Sequence, residues 1–138
     1  MIVTKKIRLQ TKGNTDIIDI TPQVENILAE TNLVSGTVTV FATGSTLGIT
    51  TIENETGLLA DFKKAWERIV PENLDYQHNL AWEDGNGHSH VRASSLGASL
   101  VVPFSDKEMV LGRWQQIVLV DFDNRPRARE VVVQVTGE

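Results

Sequence analysis

The chain has 138 residues, 13 basic and 18 acidic, for a formal charge of −5, with 41% hydrophobic and 22% charged residues. That length supports one domain with a real core, and nothing in the composition signals disorder or a fibre. The absence of cysteine excludes disulfides, thiolate nucleophiles and Cys-type zinc sites. No basic cluster offers a nucleic-acid footprint, and no apolar run approaches the roughly 20 residues that span a bilayer. The opening MIVTKKIRLQTKG lacks an apolar core of signal-peptide length, so a soluble, cytoplasmic protein working on small molecules is expected, with no membrane and no nucleic-acid partner.

Residues 2–10 alternate as a strand with one solvated face; Lys12-Gly13-Asn14 turns the chain, and 15–20 is a short extended piece. Thr21-Pro22 predicts a helix over 22–31, with Thr21 as N-cap, Pro22 at the first helical position and Val24, Ile27 and Leu28 as its apolar stripe. GTVTVFA at 36–42 is rich in β-branched residues and reads as a strand. Thr43-Gly44-Ser45-Thr46 is a polar turn, and 48–53 is the next strand. Leu58, Leu59, Phe62, Trp66 and Ile69 share one face of a second helix over 57–69, which Pro71 stops.

Beyond an irregular segment, 100–104 is a buried strand, 105–108 a hairpin turn and 109–111 the return strand. Gly112-Arg113-Trp114-Gln115 is a bend, with Trp114 expected in the core and Gln115 as a buried polar group in need of a partner. A strand at 117–122, a turn at 123–126 and a last strand at 129–135 complete the chain. About seven strands with hairpin connections and two amphipathic helices predict one α+β domain over 1–138, mostly antiparallel and β-sandwich-like.

The segment from Tyr76 to Leu100 holds all three histidines, His78, His88 and His90, together with Glu83, Asp84 and Asn86. If 88–90 is extended, His88 and His90 project to the same side. With His78 they offer three imidazoles to one divalent ion, the donor pattern of a catalytic zinc-type site. Glu83, Asp84 and Glu53 are candidates for a fourth ligand or an orienting carboxylate. Spacing alone leaves a hydrated polar loop equally open, and His88 or His90 beside Asp84 would also serve as an acid–base pair without metal. Asp84-Gly85-Asn86-Gly87 is a turn by its dipeptides. Ser89 is a candidate cap for a helix beginning near His90, which would place Arg92 one turn on in an anion-friendly corner; 90–96 stays open between helix and strand. Ser45 and Thr46 offer hydroxyls that suit a phosphate, or simply a turn. Glu53 and Glu55 are paired carboxylates at a strand end, with helix-start chemistry the alternative for Glu55.

Four motifs together resemble the YjbQ family of small proteins, the uncharacterised protein family 0047: GSTLGITTIENE at 44–55, YQHN at 76–79, DGNGHSHVRASSLG at 84–97 and LGRWQQIVLVDFDNRPR at 111–127. The resemblance covers essentially the whole chain. It implies a cytoplasmic homotrimer of single α+β domains with a divalent metal site, zinc first and magnesium second, and an activity like that of a secondary thiamine-phosphate synthase. The family's histidines match His78, His88 and His90, its acidic strand end Glu53 and Glu55, and its Gly-Thr-Trp-Gln element Gly112, Trp114 and Gln115. This chain departs from the pattern at Ala42 to Gly44, where many members carry a histidine, and at Arg113, where a threonine is usual.

The expected function is therefore a metal-dependent transferase joining a pyrimidine pyrophosphate to a thiazole phosphate. In it His78, His88 and His90 hold the metal, Glu53 or Asp84 acts as base, and Ser45, Thr46, Arg92 and Gln115 bind the substrate and its phosphates. The alternatives are a metal-assisted hydrolase of a small phosphorylated or cyclic metabolite, and a non-catalytic trimeric ligand- or metal-binding module.

Overall fold

Alternation builds the first layer. In the strand Gly36–Ala42 (β3), Val38, Val40 and Ala42 are buried while Thr37 and Phe41 face outward. The computed structural model describes residues 1–138 and pairs β3 antiparallel with Arg127–Gly137 (β8) on one side and Ser99–Ser105 (β5) on the other. Ile2–Thr11 (β1) pairs with β8, and Glu108–Met109 (β6) with β5, giving a five-stranded sheet in the order β1-β8-β3-β5-β6. The β5–β6 turn carries positive φ at both Asp106 and Lys107, the geometry that tight hairpins favour. The return strand is shorter than the expected 109–111.

The second sheet has the order β2-β7-β4, formed by Asp16–Asp19 (β2), Gln116–Asp121 (β7) and Leu47–Ile52 (β4), again antiparallel. Its central strand is an uninterrupted apolar run because both of its faces are covered. Ile117 and Leu119 join the main core against Val131, Val133 and Val135 of β8. Val118 and Val120 face the other way, into a smaller cluster with Phe122, Ala93, Phe62 and Trp66.

The helix Thr21–Thr31 (α1) supplies Val24 and Leu28 to the main core. It starts one residue earlier than expected, at Thr21. The Thr21 hydroxyl is not a cap: it accepts the Ile117 N–H at 2.7 Å, tying the helix to β7. Thr56–Ile69 (α2) lays Phe62 and Trp66 over the second sheet, and the Trp66 ring meets Phe122 edge-on at 5.2 Å. Glu55 caps α2, accepting the Gly57 and Leu58 N–H groups, and this holds its pKa below the usual carboxylate range. The helix-start reading of Glu55 is therefore the one realised.

The α+β architecture agrees with expectation, but there are four helices rather than two. The additional pair, Gln77–Trp82 (α3) and Gly87–Leu96 (α4), lies within the histidine-bearing segment. No helix is long and apolar enough to cross a membrane.

Candidate functional site

A short turn brings α3 and α4 together. Glu83 leaves α3 in the left-handed conformation, and Gly85 follows at φ +69°. The Asn79 side chain accepts the Gly87 N–H at 2.9 Å, linking the start of α3 to the start of α4. A Cβ at position 87 would lie 2.6 Å from Tyr76 Cβ, so this close approach needs glycine. Asn86 donates its side-chain N–H to Asp123 at 3.2 Å, and Asn124 donates to the Asp84 carbonyl at 2.8 Å. The turn is thus clamped onto the end of β7. Ser89 is buried inside the first helical turn; Asn86, not Ser89, occupies the cap position, and its side chain is drawn away to Asp123.

The helical backbone settles where the histidines go. Successive residues advance about 100° around an α-helix, so His88 and His90 point roughly 200° apart. The same-side arrangement presupposed an extended chain and is not formed. His90 instead contacts His78 on α3, their ring centroids 4.4 Å apart. Asp84 Oδ1 lies 3.6 Å from His78 Nδ1, an ionic contact when His78 is protonated but just beyond hydrogen-bond range. That nitrogen is buried and has no hydrogen-bond partner. His90 also lines a cavity of about 340 Å3 with Gly44, Ser45, Ser94 and Gly97.

His88 takes the other side, 2% exposed, with the Tyr76 ring 6.3 Å away and Ser89 Oγ 3.5 Å from its Nε2. Burial lowers its pKa, against an opposing pull from Glu72. No three His, Asp or Glu side chains converge as a metal site. The donors of one chain therefore do not fit the expected three-imidazole centre. What forms is a pair of imidazoles with one carboxylate beside it.

The residues expected to bind phosphate scatter. Ser45 is exposed on the His90 cavity. Thr46 is buried, its hydroxyl accepting from Arg129 at 2.7 Å and donating to Asp123 at 3.3 Å. Arg92 is buried too, and three of its N–H groups are committed within the protein: to the Val70 carbonyl (2.9 Å), Thr15 Oγ1 (3.3 Å) and Glu67 (2.9 Å). It straps α4 to α2 and to the turn before β2, and its hydrogen bond lowers the Glu67 pKa. Gln115 is exposed rather than buried, bridging the Gly112 N–H and Thr51 Oγ1 beside a separate groove. Trp114 is 63% exposed under the Arg113 guanidinium, so it does not belong to the core. Glu53 is exposed at the end of β4 and makes no side-chain hydrogen bond or ion pair.

The sequence reading missed a buried ionic cluster at the ends of β7 and β8. Asp121 and Asp123 are 0% and 1% exposed. Arg129 donates to both, Thr11 donates to Asp121, and Arg127 Nε lies 2.6 Å from Asp123. Burial works to raise the Asp123 pKa, but hydrogen bonds from Asn86 and the Asn124 N–H, with the Arg127 charge, outweigh it and leave it lowered. The signal was present in DFDNRPRAR, where acids and arginines fall two residues apart at adjoining strand ends. A two-residue period puts such side chains on one face.

The fold is an antiparallel two-sheet α+β domain that carries a histidine pair on its helix hairpin. The chain belongs to the YjbQ-like UPF0047 family, whose model matches residues 5–138. A UPF0047 protein of Methanothermobacter thermautotrophicus is 37% identical over 99% of this chain and 94% of its own length. The Bacillus subtilis UPF0047 protein YugU is 34% identical over 96% of this chain and 98% of its own. Among solved structures, a YbjQ-like protein of unknown function from Sulfolobus solfataricus P2 superposes with a TM-score of 0.95 at 32% identity, covering 100% of this chain and 99% of that one. A hypothetical protein from Aeropyrum pernix K1 gives 0.92 at 28% identity, with 99% coverage of both.

Proposed function

We propose that the chain is a small-molecule enzyme that works by general acid–base chemistry at His78 and His90, on a phosphorylated metabolite seated beside Ser45. The observation that carries this reading is the 4.4 Å contact of the two imidazoles next to an open cavity. One ring of such a pair can donate a proton while the other accepts one. Asp84 places a carboxylate 3.6 Å from His78 Nδ1, beside the pair. The Ser45 hydroxyl supplies a donor for phosphate oxygen.

The family resemblance supports a transfer of the thiamine-phosphate synthase type, in which the bond from the pyrimidine methylene to pyrophosphate breaks and a bond to the thiazole nitrogen forms. A protonated His78 or His90 would offset the charge of the departing pyrophosphate. Hydrolysis of a small phosphoester is the second reading, favoured because the same pair can take a proton from water. A zinc-type ion would take donors from outside this chain, such as a second copy in the homotrimer the resemblance implies.

The test is pyrophosphate release by the purified protein supplied with the two thiamine precursors, alongside a panel of small phosphoesters. Turnover of either class is expected to fall about 10²–10⁴-fold in His90→Ala and in His78→Ala. Turnover unchanged in both variants, or no turnover of any compound, would overturn the acid–base reading. Phosphoester cleavage without use of the precursors would replace the transfer reading by the hydrolytic one.

A further inference from the structure

All three nitrogens of the Arg92 guanidinium are bonded within the protein, which leaves the phosphate it was expected to meet without an arginine. Arg129 differs. Its Nε and Nη2 reach Asp121, Asp123 and Thr46, but its Nη1 makes no hydrogen bond. The side chain is 10% exposed, and Nη1 is not sealed from solvent. Two buried carboxylates thus fix a guanidinium in place with one nitrogen unspent. An arginine held in this way is preorganised to meet an oxyanion.

The unspent nitrogen lies against the turn between β3 and β4. A Cβ at Gly44 would sit 3.2 Å from Nη1. Thr43 pins the start of this turn to β8, its N–H and its hydroxyl donating to the Glu130 carbonyl at 3.3 and 3.1 Å. The Leu47 N–H closes the turn on the Gly44 carbonyl at 3.3 Å. Between those two ties, the N–H groups of Gly44, Ser45 and Thr46 have no partner in the protein, and neither has the Ser45 hydroxyl. Thr46 is 4% exposed, and a buried N–H is rarely left unpaired. Successive free amides beside an arginine are the donors from which anion sites are built.

Gly44 and Ser45 line the cavity of about 340 Å3 that His90 also lines, and no carboxylate borders it. An anion entering there meets donors and no like charge. We propose that Arg129 Nη1, the Gly44–Thr46 amides and the Ser45 hydroxyl form the subsite that holds the phosphoryl group of the substrate beside His90. Asp121 and Asp123 are then positioning residues, acting through Arg129, which gives the buried ionic cluster a task at the cavity. Gly44 has its own reason: a side chain at this position would press on Nη1 and cover it. The inference deepens the reading of His78 and His90 and rests on it for the reaction, but not for the binding.

Titrating inorganic phosphate and pyrophosphate into the isotope-labelled full chain, with amide signals followed by NMR, tests this. The Gly44 and Ser45 signals are expected to shift saturably, while chloride at the same ionic strength leaves them in place. Replacing Arg129 would strip two buried acids of their partner and report on folding, so two variants of the turn carry the test. Ser45→Ala, at an exposed position, and Gly44→Ala, whose backbone needs no positive φ, should each keep a cooperative melt and weaken phosphate binding by roughly tenfold. The proposal is overturned if neither phosphate shifts the turn amides by roughly 50 mM, if chloride moves them equally, or if neither variant alters the affinity. Phosphate binding in a protein that turns nothing over would retire the acid–base reading and leave the subsite standing. Turnover that needs His90 but is indifferent to both turn variants would do the reverse.

Discussion

The two faces of α4 carry the same residue types to opposite ends. The inner face holds His88, Ser89, Arg92 and Ala93 buried, and the outer face leaves His90, Val91, Ser94 and Ser95 at least partly open. Ser94 and Ser95 bond back to carbonyls of their own helix, so the outer face reaches another element through the contact of His90 with His78. The GNGHSH motif is therefore not a single cluster of reactive groups. Its first histidine belongs to the packing of the molecule. Only its second stands where a substrate could arrive.

The largest break in that contrast comes from the anchor. Asp123→Ala removes the buried acceptor shared by Thr46, Asn86, Arg127 and Arg129, leaving Arg127 without its acid and the Asn86 amide without its partner, while Arg129 keeps Asp121. Losing one partner of a buried ionic cluster costs about 3–5 kcal/mol, to be read in urea unfolding, and the 83–87 turn should exchange its amide hydrogens faster. A milder effect is expected from Gly87→Ala, whose Cβ would crowd Tyr76 and Asn79. Overpacking of this kind costs about 1–3 kcal/mol. In contrast, His90→Ala should change stability by less than about 0.5 kcal/mol, the usual size for a surface change.

The smallest effect is a pH dependence, and its sign can be worked out. His88 has a lowered pKa in the folded state, so the unfolded chain binds its proton first. Stability is whole above the ordinary histidine range and declines as pH falls from about 6.5 toward the folded value. Asp123 is also lowered, so its contribution is present above the usual carboxylate range and is lost as pH falls through its folded value. Thermal melts across pH should therefore show an upper and a lower decline, and His88→Gln should remove only the upper one.

Much of the fold was legible because strands with one covered face alternate. β3 and β8 carry that period openly, and the start of α1 was legible from Thr21-Pro22 to within a residue. α3 was not legible, and α4 stayed open between helix and strand over 90–96. QHNLAW is too short for a helical period, and α4 opens with glycine, histidine and serine, whose propensities favour turns. Tertiary clamps from Asn79, Asn86 and Arg92 supply what propensity does not. The same gap explains the site. The geometry of three histidines turned on whether 88–90 was extended or helical, and composition could not decide that. Trp114 escaped because an aromatic next to strand residues reads as core, whereas it sits on a bend that points it outward beneath Arg113.

The pairing of β1 with β8 has a consequence for how the molecule comes into being. Thr11 meets Arg127 across 116 positions of sequence, and Met1 meets Gly137 across 136. β8 lies between β1 and β3, so neither neighbour has its full complement of backbone partners until β8 arrives. Contacts this distant in sequence make folding slow and leave strand edges open in the meantime. During synthesis the apolar faces of β1 and β3 would wait on the ribosome for almost the entire chain, so this is a protein whose yield should depend on chaperones more than its final stability suggests.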